Sequence, residues 1–523
     1  MSGPRRLALV LHTHLPWVLH HGTWPHGEDW LFEATTHCYL PLVHMLHERG
    51  KRGARNQLTL TVSPVLAAQW RNKDFPGKLI NYLESRCAAA EQANDQPLAR
   101  FWSHLFQQRL NWFRAMDHDL VGALAHLAHQ GVIELGTCAA THAYLPLVHD
   151  LRSARLSLLL AQAYHQRVFG KKAEGVWLPE CAYRPSGPFR HPVTGASEPF
   201  RPGLETLLEE AGFTWTILDS HLALGGQPAP ASAGGAWTGQ VPTGPCLYQP
   251  WWIGQSQVAA LFRDPHTSLQ VWSREHGYPG EARYLDFHKR HWPSGLKLWR
   301  VTHPKADLAA KEPYEPEAVA QAVESHAHHF LEVVASLEEA AGGVIVAPFD
   351  TELFGHWWFE GVEFLQRVLE KLDRHPQVQA TTPGREVVGE IRGRMELPEG
   401  SWGEGGDHRV WVNPQTDHFW WELSQLEVLA WRRLAAEQTH DGVRSALAQQ
   451  LLLVLASDWP FLVTTQAAAD YAERRFARHS QRLRELVANS NAALPPWVVE
   501  DAVFPDALLL SVLHQLLRPS AAP

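Results

Sequence analysis

Gly175-Val-Trp-Leu-Pro-Glu180-Cys-Ala-Tyr-Arg184-Pro-Ser-Gly187 decides how this chain of 523 residues is read. Gly175 to Leu178 make a short buried strand. Pro179 cannot continue a sheet ladder, so the chain breaks into a loop that presents Glu180, Tyr183 and Arg184. A distant stretch, Gly343-Val-Ile-Val-Ala-Pro348-Phe-Asp350-Thr-Glu352-Leu-Phe-Gly355-His356-Trp-Trp358, repeats that grammar of apolar strand, proline, carboxylate and aromatics. Two carboxylates delivered from two strands are what glycosidic-bond chemistry requires.

Apolar runs that end in polar residues recur along the chain. Leu7–Leu11 runs into His12-Thr-His14-Leu-Pro16-Trp17, Leu58–Val62 is closed by Ser63-Pro64, and Val132–Leu135 leads to Thr141-His142. Phe213–Leu218 leads to Asp219-Ser-His221 and Val258–Phe262 to Arg263-Asp264. With Gly175–Leu178 and Val344–Ala347 these are seven strand–helix units. His12, His14, Thr141, His142, Glu180, Asp219, Arg263 and Asp350 are all expected just past the C-terminal end of a strand. In parallel βα barrels that face carries the active site, so the distribution itself predicts a barrel.

Three stretches interrupt the pattern. Val65 to Gln130 has helical spacing and few breakers, which predicts an inserted helical subdomain. Gly225 to Pro245, rich in Gly, Pro, Ala and Ser, is expected to be a long mobile loop near the site. Beyond Val378 come a glycine-rich loop, Pro398-Glu-Gly-Ser-Trp402-Gly-Glu-Gly-Gly406-Asp407-His-Arg-Val-Trp411, and helical periodicity from Trp420 onward. The expected organisation is a catalytic barrel over 1–64 and 131–378, an insertion over 65–130, and a C-terminal helical domain over 379–523 that lends the loop 398–411 to the cleft.

Composition narrows the function classes. A net charge of −9 without a basic stripe excludes an electrostatic footprint for nucleic acid. The longest apolar runs are far too short to span a bilayer. An N-terminus that enters a strand directly, without a signal-peptide apolar stretch, and five scattered cysteines without CxxC spacing predict a cytoplasmic protein with no disulfide framework and no zinc knuckle. The 23 tryptophans are far more than an average share, and many stand in loop contexts. Flat apolar faces with a polar edge suit sugar rings, so Trp24, Trp30, Trp272, Trp402 and Trp411 are candidate platforms for a glycan.

Each assignment has a plainer counterpart. Glu180 competes with a loop carboxylate paired to Arg184, and Asp350 competes with Glu352 and with a helix N-cap role. His12, His14 and His142 with a late aspartate would make a ligand set for a metal-dependent barrel hydrolase. The preferred reading has neutral imidazoles bonding sugar hydroxyls, with no metal and no cofactor. A non-catalytic glucan-binding protein is the third alternative, and the presence of both carboxylates argues against it.

His12-Thr-His14-Leu-Pro16, Gly136-Thr137 with Thr141-His142, Gly175-Val-Trp-Leu-Pro-Glu180, Pro348-Phe-Asp350-Thr-Glu352 and Ala456-Ser-Asp458-Trp-Pro-Phe461 resemble the five motifs of glycoside hydrolase family 57, and most of all its 1,4-α-glucan branching enzymes. The resemblance runs through essentially the whole chain. It implies an α/β fold, a (β/α)7 barrel (an incomplete TIM-like barrel) with a helical insertion and a C-terminal α-helical domain. It also implies a retaining transglycosylase with Glu180 as nucleophile and Asp350 as general acid/base. The substrate-binding residues it implies are His12, His14, Trp24, Trp30, His142, Arg263, Trp272, Trp402, Trp411 and Asp458, and the partners are α-1,4-glucan donor and acceptor chains. Branching enzymes of the family carry a tyrosine in the loop over the site. Here 225–245 contains none, Ser232 or Trp237 standing nearest its place, so a hydrolytic, α-amylase-like activity stays open.

Overall fold

The structure, a computed structural model, describes residues 3–226, 228, 244–273, 277–389, 391, 393–489 and 493–518. Ser232 and Trp237, and with them most of the expected loop, lie outside the described residues. Twelve strands occur among the described residues: β1 Arg5–Thr13, β2 Leu58–Val62, β3 Ile133–Cys138, β4 Gly175–Trp177, β5 Gly187–Arg190, β6 Ser197–Arg201, β7 Trp215–Leu218, β8 Trp251–Ile253, β9 Ala259–Phe262, β10 Val344–Asp350, β11 Val378–Ala380 and β12 Arg394–Met395. The seven expected strands are β1, β2, β3, β4, β7, β9 and β10.

These seven pair in parallel in the order β10-β1-β2-β3-β4-β7-β9. The sheet curls until its ends meet: Arg263 bridges Val346, and the Asp264 amide donates to the Val346 carbonyl at 2.8 Å. The fold class is therefore α/β, a curled seven-stranded barrel with a largely helical C-terminal region. Strand interiors are nearly all buried on both faces, which is why they read as continuous apolar runs rather than alternating ones. Gly175 shows how closely neighbouring strands approach. A Cβ there would sit 1.9 Å from the Trp215 ring.

The sequence missed the short strands. β8 runs antiparallel beside β9, β12 pairs with β8, β11 adds to β1, and β5–β6 form a separate hairpin. Two to five residues carry too little periodicity to be seen. β11 and β12 also extend the sheet to Met395, past the expected boundary at 378. Between β2 and β3 stand four helices, Pro64–Arg71, Phe75–Gln92, Ala99–Ala115 and Leu120–His129. Beyond the sheet the chain is helical: Asp417–Ala435, Asp441–Val454, Asp458–Thr464, Ala469–Ala488 and Asp506–Leu517. Among the described residues no helix is long and apolar enough to cross a membrane.

Candidate active site

Strand register brings the site together. His12 stands beside Asp350 and Thr61, Val62 beside Thr137, and Cys138 beside Trp177, all at the C-terminal ends of β1, β2, β3, β4 and β10. His12 and Asp350 lie inside their strands rather than after them, because both strands run longer than their apolar cores suggest.

After β4 the backbone turns sharply. Glu180 has φ +64° and Cys181 φ +47°, and His142, after β3, has φ +64°. Left-handed backbone at non-glycine residues costs energy and persists only where the surroundings hold it. The holders of Glu180 are visible. The Trp402 Nε1–H donates to Glu180 Oε2 at 2.9 Å, the Ser457 hydroxyl to Oε1 at 3.3 Å, and the Trp402 amide to the Glu180 carbonyl at 3.0 Å. Tyr183 and Gly400 exchange backbone hydrogen bonds at 2.8 and 3.0 Å, which clamps the glycine-rich loop to the Glu180 turn.

Arg184 is not the partner of Glu180. Its guanidinium donates to the carbonyls of Pro185 and Pro202 and lies 5.3 Å from the Phe189 ring, so the plainer reading of Glu180 as a loop carboxylate paired to Arg184, and with it any help from the Arg184 charge in keeping Glu180 ionised, does not hold. Burial dominates instead and raises the Glu180 carboxyl to about 7, helped by the Asp458 charge and opposed by the Trp402 hydrogen bond, His14 and Ser457. Asp350 is pushed well above the usual carboxylate range by burial and by the negative charges of Glu352 and Glu180, with Arg263 opposing. Glu352 is the buried neighbour that presses on it. It accepts from the Tyr39 hydroxyl at 2.6 Å and the His14 amide at 3.1 Å, and burial raises it to about 7.

The three histidines form a stack. His14 and His142 rings lie 3.9 Å apart and 10° from parallel, and His12 is stacked between His142 and Trp177, at 5.2 and 4.8 Å. Every ring nitrogen has a partner. His12 Nδ1 meets Thr61 and its Nε2 meets His142 Nε2; His142 Nδ1 meets Ser457; His14 Nδ1 meets Ser63 and its Nε2 meets Asp458. Burial and the His14 charge hold His12 and His142 well below the ordinary imidazole value, so both are neutral near pH 7. His14, His142 and Asp458, or His12, Cys138 and His142, offer ligand atoms within 4.8 Å of one another. The ring nitrogens of these groups are already engaged with one another and with Thr61, Ser63, Ser457 and Asp458, so a metal ion would have to displace those hydrogen bonds.

Exposure separates the side chains that reach solvent from those that lie beneath them. The side chains of Glu180, Asp458 and His14 keep 14, 13 and 9% exposure. His12, His142 and Arg263 are buried. Arg263 is ion-paired to Asp219 at 3.1 Å and donates to Ser268 at 2.8 Å, so its expected contact with substrate is corrected to a supporting position under the site. Trp402 is packed edge-on by Trp177 and Trp272, at 5.1 and 5.7 Å. Trp411, expected as a platform, is 1% exposed and stacked on Tyr144 at 4.6 Å, because its apolar ring fills the base of the glycine-rich loop. Trp30 is half-buried against the core, and Trp24 is 73% exposed at the edge of a separate cleft. Sequence reasoning missed Tyr39, Thr61 and Ser63, which bear no local motif. Ser457 stood within a quoted motif without a role.

A parallel barrel with two partly buried, electrostatically coupled carboxylates beside a stack of imidazoles at its C-terminal face is the architecture of a glycosidase-type enzyme. The family model of glycosyl hydrolase family 57 matches residues 8–398, and the chain belongs to that family. A model for the C-terminal region of 1,4-alpha-glucan branching enzymes matches residues 423–501. The chain is 38% identical to a 1,4-alpha-glucan branching enzyme of Thermococcus kodakarensis, over 92% of this chain and 73% of that protein. The crystal structure of a family 57 branching enzyme from that archaeon, in complex with glucose and additives, superimposes with a TM-score of 0.87 at 36% identity, covering 98% of this chain and 94% of that one. The alpha-amylase AmyC of Thermotoga maritima superimposes with a TM-score of 0.76 at 26% identity, covering 99% of each chain.

Proposed function

We propose that the protein is a 1,4-α-glucan branching enzyme, a glycosyltransferase that works by retaining double displacement. The observation that carries this reading is the agreement of both halves: a family 57 barrel bearing Glu180 and Asp350, joined to a C-terminal region that matches branching enzymes. Glu180, ionised, attacks the anomeric carbon of an α-1,4 bond while Asp350 gives its proton to the departing O4. A glycosyl ester on Glu180 results. Asp350, now a base, takes the proton of an incoming glucan 6-hydroxyl, whose oxygen displaces Glu180 and forms the α-1,6 branch.

The environments support this division of labour. Glu180 keeps two donors that favour its anion, whereas Asp350 sits between two carboxylates that favour its acid form. In this reading His14 and Asp458, both partly exposed, bond sugar hydroxyls. His12 and His142 act one layer below, and Trp402 and Trp272 wall the pocket against water. In this reading residues 1–64 and 131–378 hold the chemistry, 65–130 form the insertion, and 379–523 supply Trp402, Ser457 and Asp458. The partners are α-1,4-glucan donor and acceptor chains.

Incubation with amylose, measuring new α-1,6 linkages against new reducing ends, tests the reading. Branching predicts linkages in excess of reducing ends. Reducing ends alone would favour the second reading, an α-amylase-like hydrolase, which the Thermotoga maritima likeness and the tyrosine-free stretch 225–245 keep in view.

A further inference from the structure

A cleft of about 620 Å3 opens between the loop around His21–His26 and the helix Ala469–Ala488. Tyr471, Arg474, Arg475 and Arg478 line it from that helix, at the i, i+3, i+4 and i+7 spacing of a single helical face. Three guanidinium groups at such spacing repel one another, in a protein whose net charge is −9. Among the described residues none of the three forms an ion pair with a carboxylate. The exposed Asp470 is the one acid on the cleft wall among the residues that line it.

Arg475 is 3% exposed. One of its terminal nitrogens donates to the Tyr471 hydroxyl at 2.6 Å and the other to His479 at 2.9 Å, while its buried Nε meets no acceptor. The Asp501 carboxylate acts on it from a distance but is already engaged by His21, Gln450 and Arg482. A buried cation without a paired anion is costly, which marks a site where an anion completes the charge balance. Arg478 reaches His21 Nδ1 at 3.2 Å, and Arg474 lies close enough to His26 to act on that imidazole across the cleft. Trp24, 73% exposed, offers a flat face at the same cleft.

We propose that this cleft binds a phosphorylated glucose unit, with the sugar ring on Trp24 and the phosphate among Arg474, Arg475 and Arg478. A neutral glucan would use the aromatic face but leave three cations unanswered. Phosphate, with several charged oxygens, matches guanidinium forks. The cleft is joined to the reaction centre by the helix Asp458–Thr464, about 10 Å long. Asp458 at its start meets His14, and Gln466 just beyond its end lines the cleft. A phosphoester on a glucan chain and a free sugar phosphate present the same chemistry here.

Calorimetric titration of the full chain tests this independently of turnover, so its failure leaves the branching reading untouched. Glucose 6-phosphate should bind more tightly than either glucose or inorganic phosphate, and its affinity should fall as salt rises. Combined Arg474→Ala and Arg478→Ala, at two exposed positions, should weaken it about tenfold or more without lowering the melting temperature or amylose turnover. A phosphorylated maltodextrin that binds tighter still identifies a glucan phosphoester as the source, and equal affinity identifies the free sugar phosphate. Maltose matching glucose 6-phosphate without salt dependence, no saturable binding of any of these sugars, or unchanged affinity in the double variant would each overturn the proposal.

Discussion

In the proposed mechanism the different duties of Glu180 and Asp350 follow from what touches them. In that mechanism Glu180→Gln removes the nucleophile and Asp350→Asn the proton donor. Each should lower amylose turnover by roughly three orders of magnitude or more while the protein stays folded, and near-wild-type rates in either variant would refute the assignment. Trp402 supplies the single side-chain N–H that lowers the Glu180 pKa. Trp402→Phe keeps a ring and deletes that donor. The carboxylate loses about 1.5 kcal/mol or more, roughly one pKa unit, so the acidic limb of kcat/KM, set by Glu180 losing its proton near 7, should move up by about that much. Glu352 acts in the opposite sense, because its negative charge helps Asp350 keep a proton. Glu352→Gln should therefore shift the alkaline limb, where Asp350 deprotonates, to lower pH; an unmoved alkaline limb would remove Glu352 from this role. Because the carboxylates are coupled, both limbs report on the group rather than on one residue.

The barrel strands were legible as elements because burial on both faces leaves an unbroken apolar run, and a proline or polar residue marks where each run ends. β2 was read to the residue. β1, β3 and β10 extend past their apolar cores, since backbone pairing continues through His12, Thr13, Cys138 and Asp350 regardless of side-chain polarity. β8, β11 and β12 were invisible, being two or three residues long, and β11 and β12 are held by strands distant in sequence. The glycine-rich loop was seen, but not which of its tryptophans would point at Glu180. Trp402 does, and Trp411 packs beneath Tyr144. Gly175 is a test at this scale. A methyl group at that position collides with Trp215, a fully buried ring with no free space to enter, so Gly175→Ala should cost about 1–3 kcal/mol of stability, read as a lowered denaturant midpoint with an unchanged slope.

Over the whole molecule, two populations of buried titratable groups pull stability in opposite directions with pH. His21, His165, His191 and His356 are held down to about 4, and His12, His37, His142 and His479 well below 6.5, in each case by burial. Between those values and 6.5 the unfolded chain binds more protons than the folded one, so stability rises with pH there. Glu180, Glu352, Glu360 and Glu427 are raised to about 7 and Asp350 well above 3.8, again by burial. Between about 4.5 and 7 the folded chain binds the extra protons of these groups, so their contribution falls as pH rises. The histidines outnumber the carboxylates below 6.5, and only the carboxylates act just above it. The melting temperature should climb from pH 4, peak near 6.5 and decline through pH 7 to 8; a monotonic rise across that range would contradict the balance. The sequence by itself determined the seven strands and the places of Glu180 and Asp350 at the ends of two of them, because strand-ending motifs are local and each writes its carboxylate next to its own apolar run. Tertiary structure alone decided that Arg184 faces away from Glu180, that Trp402, Ser457 and Tyr39 arrive from distant segments, and that His12, His14 and His142 stack. Those facts depend on register between strands and on burial, which no stretch of sequence contains until the barrel closes.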